Sequence, residues 1–310
     1  MISTARSFYI QRLGILKHTL AESIVQDRPP TDVQHNERAR FLRNGLAIIS
    51  FNILEDFFKS RIAEVLQHIV TSPVGFNRLP AKLQEAALLH SLVGIDKVAK
   101  RMKSSGADWR TFVQTQTQLL SSSTGIPYGL SGYGMGFQKS NLDANDVPEF
   151  MGNFHIDGGW ASIEHVTTLV GCTVVAARQV FFNAANRRHA AAHDPNSHIP
   201  FTDVEDFITH AKAIALAFDL LISQAAHNLK NSFAPYIAGT KITPGDLRLR
   251  FIRKIGAHYN EMNVGNSTVI KRCADEATAV ASLRARRNYS GEMIVVVDYP
   301  SKAENWYTAF

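Results

Sequence analysis

The residues Asn186-Arg187-Arg188-His189-Ala190-Ala191-Ala192-His193-Asp194-Pro195 gather the chain's densest set of groups able to do chemistry. Two arginines, two histidines, an asparagine and an aspartate fall within nine positions. Histidine moves protons near neutral pH. Arginine offers a planar fork of donors that matches phosphate oxygens. Together they suit acid–base work beside a phosphate-like anion.

These side chains need an element to hold them. The three alanines favour helix. Pro195 cannot continue one and biases Asp194 away from helical geometry. The cluster therefore belongs on the last turns of a helix. The negative end of the helix dipole accounts for a basic residue there, but not for a terminal histidine and an abrupt stop. At roughly 100° per residue, His189 and His193 lie about 40° apart, with Asn186 on the same face. Arg188 and His193 diverge by about 140°. One helix end holds that pair poorly around a single phosphate.

An arginine, four to six residues and then a histidine, with a polar residue directly after the arginine, is the signature of the HEPN superfamily. Arg188 to His193 fits with four residues between, and Arg187 to His193 with five. The stretch from about 36 to 230 resembles the HEPN branch found near RNA-repair and defence genes. That resemblance implies an antiparallel helical bundle and metal-independent RNA cleavage through 2′-OH attack, in a toxin or antiviral effector. It assigns His193 as general acid or base and Arg188 as stabiliser of the charged phosphorus, with Arg187 as its alternate. His189 takes the family's variable polar position, where many relatives carry asparagine. Glu55, Asn186 and Asp194 become supporting residues, and RNA the partner. The family's usual dimer implies a composite site across a homodimer, with a two-fold axis near Ala190 to Ala192. A cognate antitoxin or regulator fits the same setting. No cofactor is implied.

Other readings fit the same residues. A His-x-x-x-His pair with Asp194 or His198 could bind zinc, although Ala190 stands where the zinc-protease glutamate belongs. A HEPN domain can bind a nucleotide, RNA or protein without catalysis. A basic helix end can also be purely structural.

The chain has 310 residues, 45% of them hydrophobic, which supports a full core. Net charge is +6. Residues 241–310 carry 11 Lys+Arg against 7 Asp+Glu, so the first 240 hold 22 against 20. Cys172 and Cys273 lack metal-ligand spacing and read as reduced thiols. Met1 to Leu20 is interrupted by charge and is no signal peptide, and no apolar run suits a membrane span. The reading is cytoplasmic, with no membrane partner.

Apolar periodicity predicts helices over 3–25, 36–70, 81–100, 108–120, from 161 to 170, 172–193 and from about 203 to 228. Glu55 is a carboxylate on the apolar face of the second. Thr202-Asp203-Val204-Glu205 has capping-box spacing. The glycines from Gly125 to Gly136 read as a surface loop whose Tyr128 and Tyr133 could stack on RNA bases. Beyond residue 240, strands are expected over 247–251 and 292–298 with a basic helix over 269–287. Arg248, Arg250 and Arg253 are read as one RNA-facing row. The fold class is thus mainly α: a HEPN-like helical domain over 1–240 (core about 36–230), then a small basic α/β appendage over 241–310.

Overall fold

The computed structural model describes residues 3–262, 268–298 and 302–308. In chain order the helices are α1 (Thr4–Ala21), α2 (Val33–Ile69), α3 (Ala81–Glu85), a π-helical turn (Ala86–His90), α4 (Ser91–Ser104), α5 (Trp109–Ser121), α6 (Asp146–Asn153), α7 (Trp160–Leu169), α8 (Ala177–His193), α9 (Phe201–Lys230) and α10 (Ala234–Ile237). Strands β1 (Leu249–Ile255), β2 (His258–Met262) and β3 (Val269–Cys273) follow, then α11 (Glu276–Arg284), β4 (Met293–Asp298) and β5 (Lys302–Tyr307). The fold is mainly helical with a small C-terminal sheet. Among the described residues no helix is long and apolar enough to cross a membrane.

α9 is the central element. Its residues 213–226 are buried without a break, as expected of a helix covered on all sides. α1, α2, α7 and α8 pack around it. α2 starts at Asp32, whose side chain accepts from the His35 backbone N–H. Its stripe of Phe51, Leu54, Phe58, Ile62, Val65 and Ile69 is buried. Phe58 meets Phe218 of α9 edge-on with ring centres 4.6 Å apart, and Phe51 meets Phe181 of α8 at 5.1 Å.

Several boundaries differ from expectation. The motif helix begins at Ala177 rather than 172, because Ala176 adopts a left-handed conformation (φ 53°) that a helix cannot absorb. Its length is therefore about 25 Å at 1.5 Å per residue. α9 starts at Phe201 behind Pro200 with no side-chain cap, so the Thr202 capping box does not form. The basic helix expected over 269–287 splits: Val269–Cys273 is strand β3, and Asp275 caps a helix that spans only Glu276–Arg284. The β-branched Val269-Ile270 pair favours the strand. The glycine loop is no loose surface connection. A Cβ on Gly94 would sit 1.7 Å from the Tyr133 carbonyl oxygen, and one on Gly134 2.8 Å from Ser91 Oγ. The loop and α4 approach closely because both carry glycine.

The sheet has the order β3-β2-β1-β4-β5, with β1 and β4 parallel and the other neighbours antiparallel. Met293, Val295 and Val297 of β4 join Ala303 and Trp306 of β5 in the helical core. Ile294 and Val296, on the opposite face, pack with Val280 and Leu283 of α11. The sheet is thus sandwiched between α11 and the bundle. Trp306 is fully buried against Phe57, and its indole N–H donates to Asp219 at 2.7 Å. Asp219 also receives Arg61 Nε at 2.7 Å and Ser223 Oγ at 2.9 Å. Arg6 of α1 donates to Asn305 at 2.6 Å. Buried charges persist only when paired in this way.

Candidate active site at the end of α8

α8 ends at His193, and the turn to α9 is held from below by α2. Arg43 is completely buried. It donates to the Ile199 carbonyl at 3.1 Å, the Val25 carbonyl at 2.9 Å and Asp27 at 2.9 Å, and its Nη2 lies 3.2 Å from His198 Nε2. Asn44 donates to the Ser197 carbonyl at 2.7 Å and accepts from the Ile199 N–H at 3.2 Å. The backbone groups of buried Ser197 and Ile199 are thereby satisfied. Arg43, Asn44 and Asp27 were not singled out from the sequence. The available signal was an Arg-Asn pair interrupting the apolar face of α2.

On this platform Asn186, His189 and His193 are all exposed, on the common face that their spacing gives. The two imidazole rings lie 4.6 Å apart between centres. Arg187 is half-buried and pairs with Asp203 of α9 at 3.2 Å. Arg188 is half-buried, and its Nε has no hydrogen-bond partner among the described residues. Asp194 turns back on its own loop, accepting from the Asn196 N–H at 2.9 Å. Ala191 packs on the core while Ala192 is exposed.

Glu55 lies beneath, 6% exposed. It accepts a hydrogen bond from the Leu142 backbone N–H. Burial pushes its carboxyl above the ordinary range, against the pull of that N–H and of the charges on Lys59 and Arg188. Of the two motif arginines, Arg188 is the one whose charge reaches it. Lys59 is lowered in turn by burial, and Glu55 partly restores it.

The expected RNA-contacting residues are not gathered here. Tyr128 is buried, donating to the Val74 carbonyl at 3.2 Å and packing on Phe76. Tyr133 sits edge-on between Phe112 and Phe137, with ring centres 4.9 and 5.1 Å away. Both rings are engaged in packing. The arginine row also divides. Arg250 pairs in register with Ile294, which faces α11, whereas Arg253 pairs with Val297, which faces the bundle. Strand alternation sends residues an odd number apart to opposite faces. Arg250 is further neutralised by Glu292 at 3.1 Å, and Arg248 bonds to Ser290.

Among the described residues no group of three or more His, Cys, Asp or Glu side chains is placed to hold a metal ion. Compared with known proteins, the chain matches no family model, no curated protein and no solved structure.

Proposed function

We propose that this chain is a HEPN-type endoribonuclease that cleaves RNA without a metal, its site at the end of α8. The observation that carries the reading is the clamped helix end: two exposed imidazoles 4.6 Å apart beside two arginines, on a turn locked by buried Arg43 and Asn44. Preorganised donors near a developing charge are the commonest large contribution to catalysis. RNA supplies the nucleophile in its 2′-OH. His193 serves as general acid or base, with His189 able to share the proton. Arg188 neutralises charge on the phosphorane, and Glu55 on α2 feels its charge. Arg187, tied to Asp203, holds the helix end against α9. The biological setting is a toxin or antiviral effector, with an antitoxin or other regulator as its partner.

The direct test incubates the purified chain with mixed RNA in EDTA beside His193→Ala and Arg188→Ala. Cleavage by the wild type alone, leaving 2′,3′-cyclic phosphate ends, supports the reading. Activity abolished by chelator replaces it with a metal mechanism. No cleavage of any RNA leaves the α8 end a binding surface.

The reading extends to a homodimer. The 140° divergence of Arg188 and His193 is relieved when a second α8 end lies across a two-fold axis. Exposed Phe182 at the start of the same helix and exposed Ala192 at its end offer a face for that approach. Mixing the two inactive variants under subunit exchange restores activity if the pair is shared between protomers. A fully active monomer by light scattering removes the composite site.

A further inference from the structure

Some distance from α8, the C-terminal end of α9 meets the sheet around a cavity of about 360 Å³. That volume is in the range of small-ligand sites. From Asp203 to His227 is about 36 Å along α9, so the cavity is separate from the α8 end. Its floor is built from carboxamides. Gln224 and Asn228 are nearly fully buried. Gln224 donates to the Asn228 Oδ1 at 3.0 Å and accepts the Arg248 N–H at 3.4 Å, which fixes both groups and leaves the Asn228 amide as a donor. His227 is held below its ordinary pKa by burial and by the Arg248 charge, so it presents a neutral imidazole at pH 7.

The rim is different in kind. Phe233 is 52% exposed, yet its backbone is fixed: its N–H donates to the Asn228 carbonyl at 2.9 Å, after Ser232 in a left-handed conformation. A large aromatic ring held outward on a rigid turn is a stacking platform. Arg248 stands on the opposing side, bonded to Ser290 and 3.9 Å from Glu292, whose own carboxylate is shared with Arg250, and about half of its side chain remains exposed. Asp246, the one carboxylate in the lining among the described residues, is occupied by the Thr243 N–H and hydroxyl.

We infer that this cavity binds a nucleotide: the base stacked on Phe233 with its polar edge meeting the Asn228 amide that Gln224 holds in place, and the phosphate held by Arg248. The base meets the Asn228 amide, and the anion meets the Arg248 cation across the cavity. The ligand is either a free mononucleotide or one nucleotide of an RNA strand. The inference stands apart from cleavage at α8.

The test is calorimetric titration of the full chain with AMP, GMP, CMP, UMP and a short single-stranded RNA, with ribose 5-phosphate as the base-free control. Phe233→Ala and Arg248→Ala are surface changes, and unchanged melting curves show that they fold. Each should weaken binding by about tenfold or more, the scale of one stacked base or one charged contact. A mononucleotide that binds and is weakened by both variants identifies the free ligand. Binding of RNA alone, weakened by both, identifies a strand. Absence of binding at about 1 mM, equal binding of ribose 5-phosphate, or indifference to both variants overturns the inference. His193→Ala should bind as the wild type does, so loss of cleavage and loss of this site are read separately.

Discussion

Replacing Trp306 by Phe tests whether the C-terminal strands are part of the helical core. Phenylalanine retains an aromatic ring against Phe57 but removes the N–H that donates to Asp219. Asp219 is completely buried and keeps Arg61 and Ser223, so it loses one of three donors. A hydrogen bond to a charged group contributes about 1.5–3 kcal/mol. The smaller ring leaves a void that costs roughly 1 kcal/mol at about 24 cal/mol per Å³. The expected loss is therefore about 2.5–4 kcal/mol, a large share of the roughly 5–15 kcal/mol that holds a native protein together. The assay is urea unfolding followed by helical circular dichroism, which reads the bundle rather than the sheet. The helical transition should shift to lower urea by that amount. An unmoved helical transition, with amide protection lost only in β4 and β5, would refute the shared core. The C-terminal segment would then be an appendage that folds separately.

Gly94→Ala should destabilise by about 3 kcal/mol, the upper part of the overpacking range, because its Cβ meets a backbone carbonyl that has little room to retreat. Gly14→Ala in α1, with nothing within 4 Å of the new Cβ, should instead stabilise by about 0.5–1 kcal/mol, and parallel thermal melts compare the two. His68 is pushed down to about 4 by burial and by the charges of Lys230 and Arg61. Its neutral form is favoured in the folded state, so the stability it contributes is complete above about 6.5 and is lost as pH falls toward 4. His68→Gln should flatten the fall in urea midpoint between pH 7 and pH 5; equal falls in both proteins would contradict this.

The long helices were legible because apolar residues recur at the helical period over many turns, as from Phe51 to Ile69. The common face of Asn186, His189 and His193 followed from the same period. Long-range pairings were not legible. Nothing local in Arg43 says that it will reach Ile199, or in Arg61 that it will meet Asp219. β2 and β5 were missed because His258–Met262 and Lys302–Tyr307 are short and mostly polar, made strands by their neighbours' hydrogen bonds. Tyr128 and Tyr133 were read as exposed from their glycine-rich surroundings. Those glycines instead let the loop sink onto α2 and α4, taking the rings with it. The arginine row erred on parity, since Arg250 and Arg253 are an odd number apart on β1, and Arg248 precedes the strand.

The pairing of α1 with β5 has a consequence for synthesis. Arg6 and Asn305 are 299 residues apart, and both sides of that contact are needed to close the same core. At about 5–20 residues per second, the ribosome delivers the second partner roughly 15–60 s after the first. Through that interval the apolar side of α1 and the buried side of α2 have no sheet to cover them. The clamp on the α8 end, by contrast, draws on residues 25–203 and does not wait for the strands.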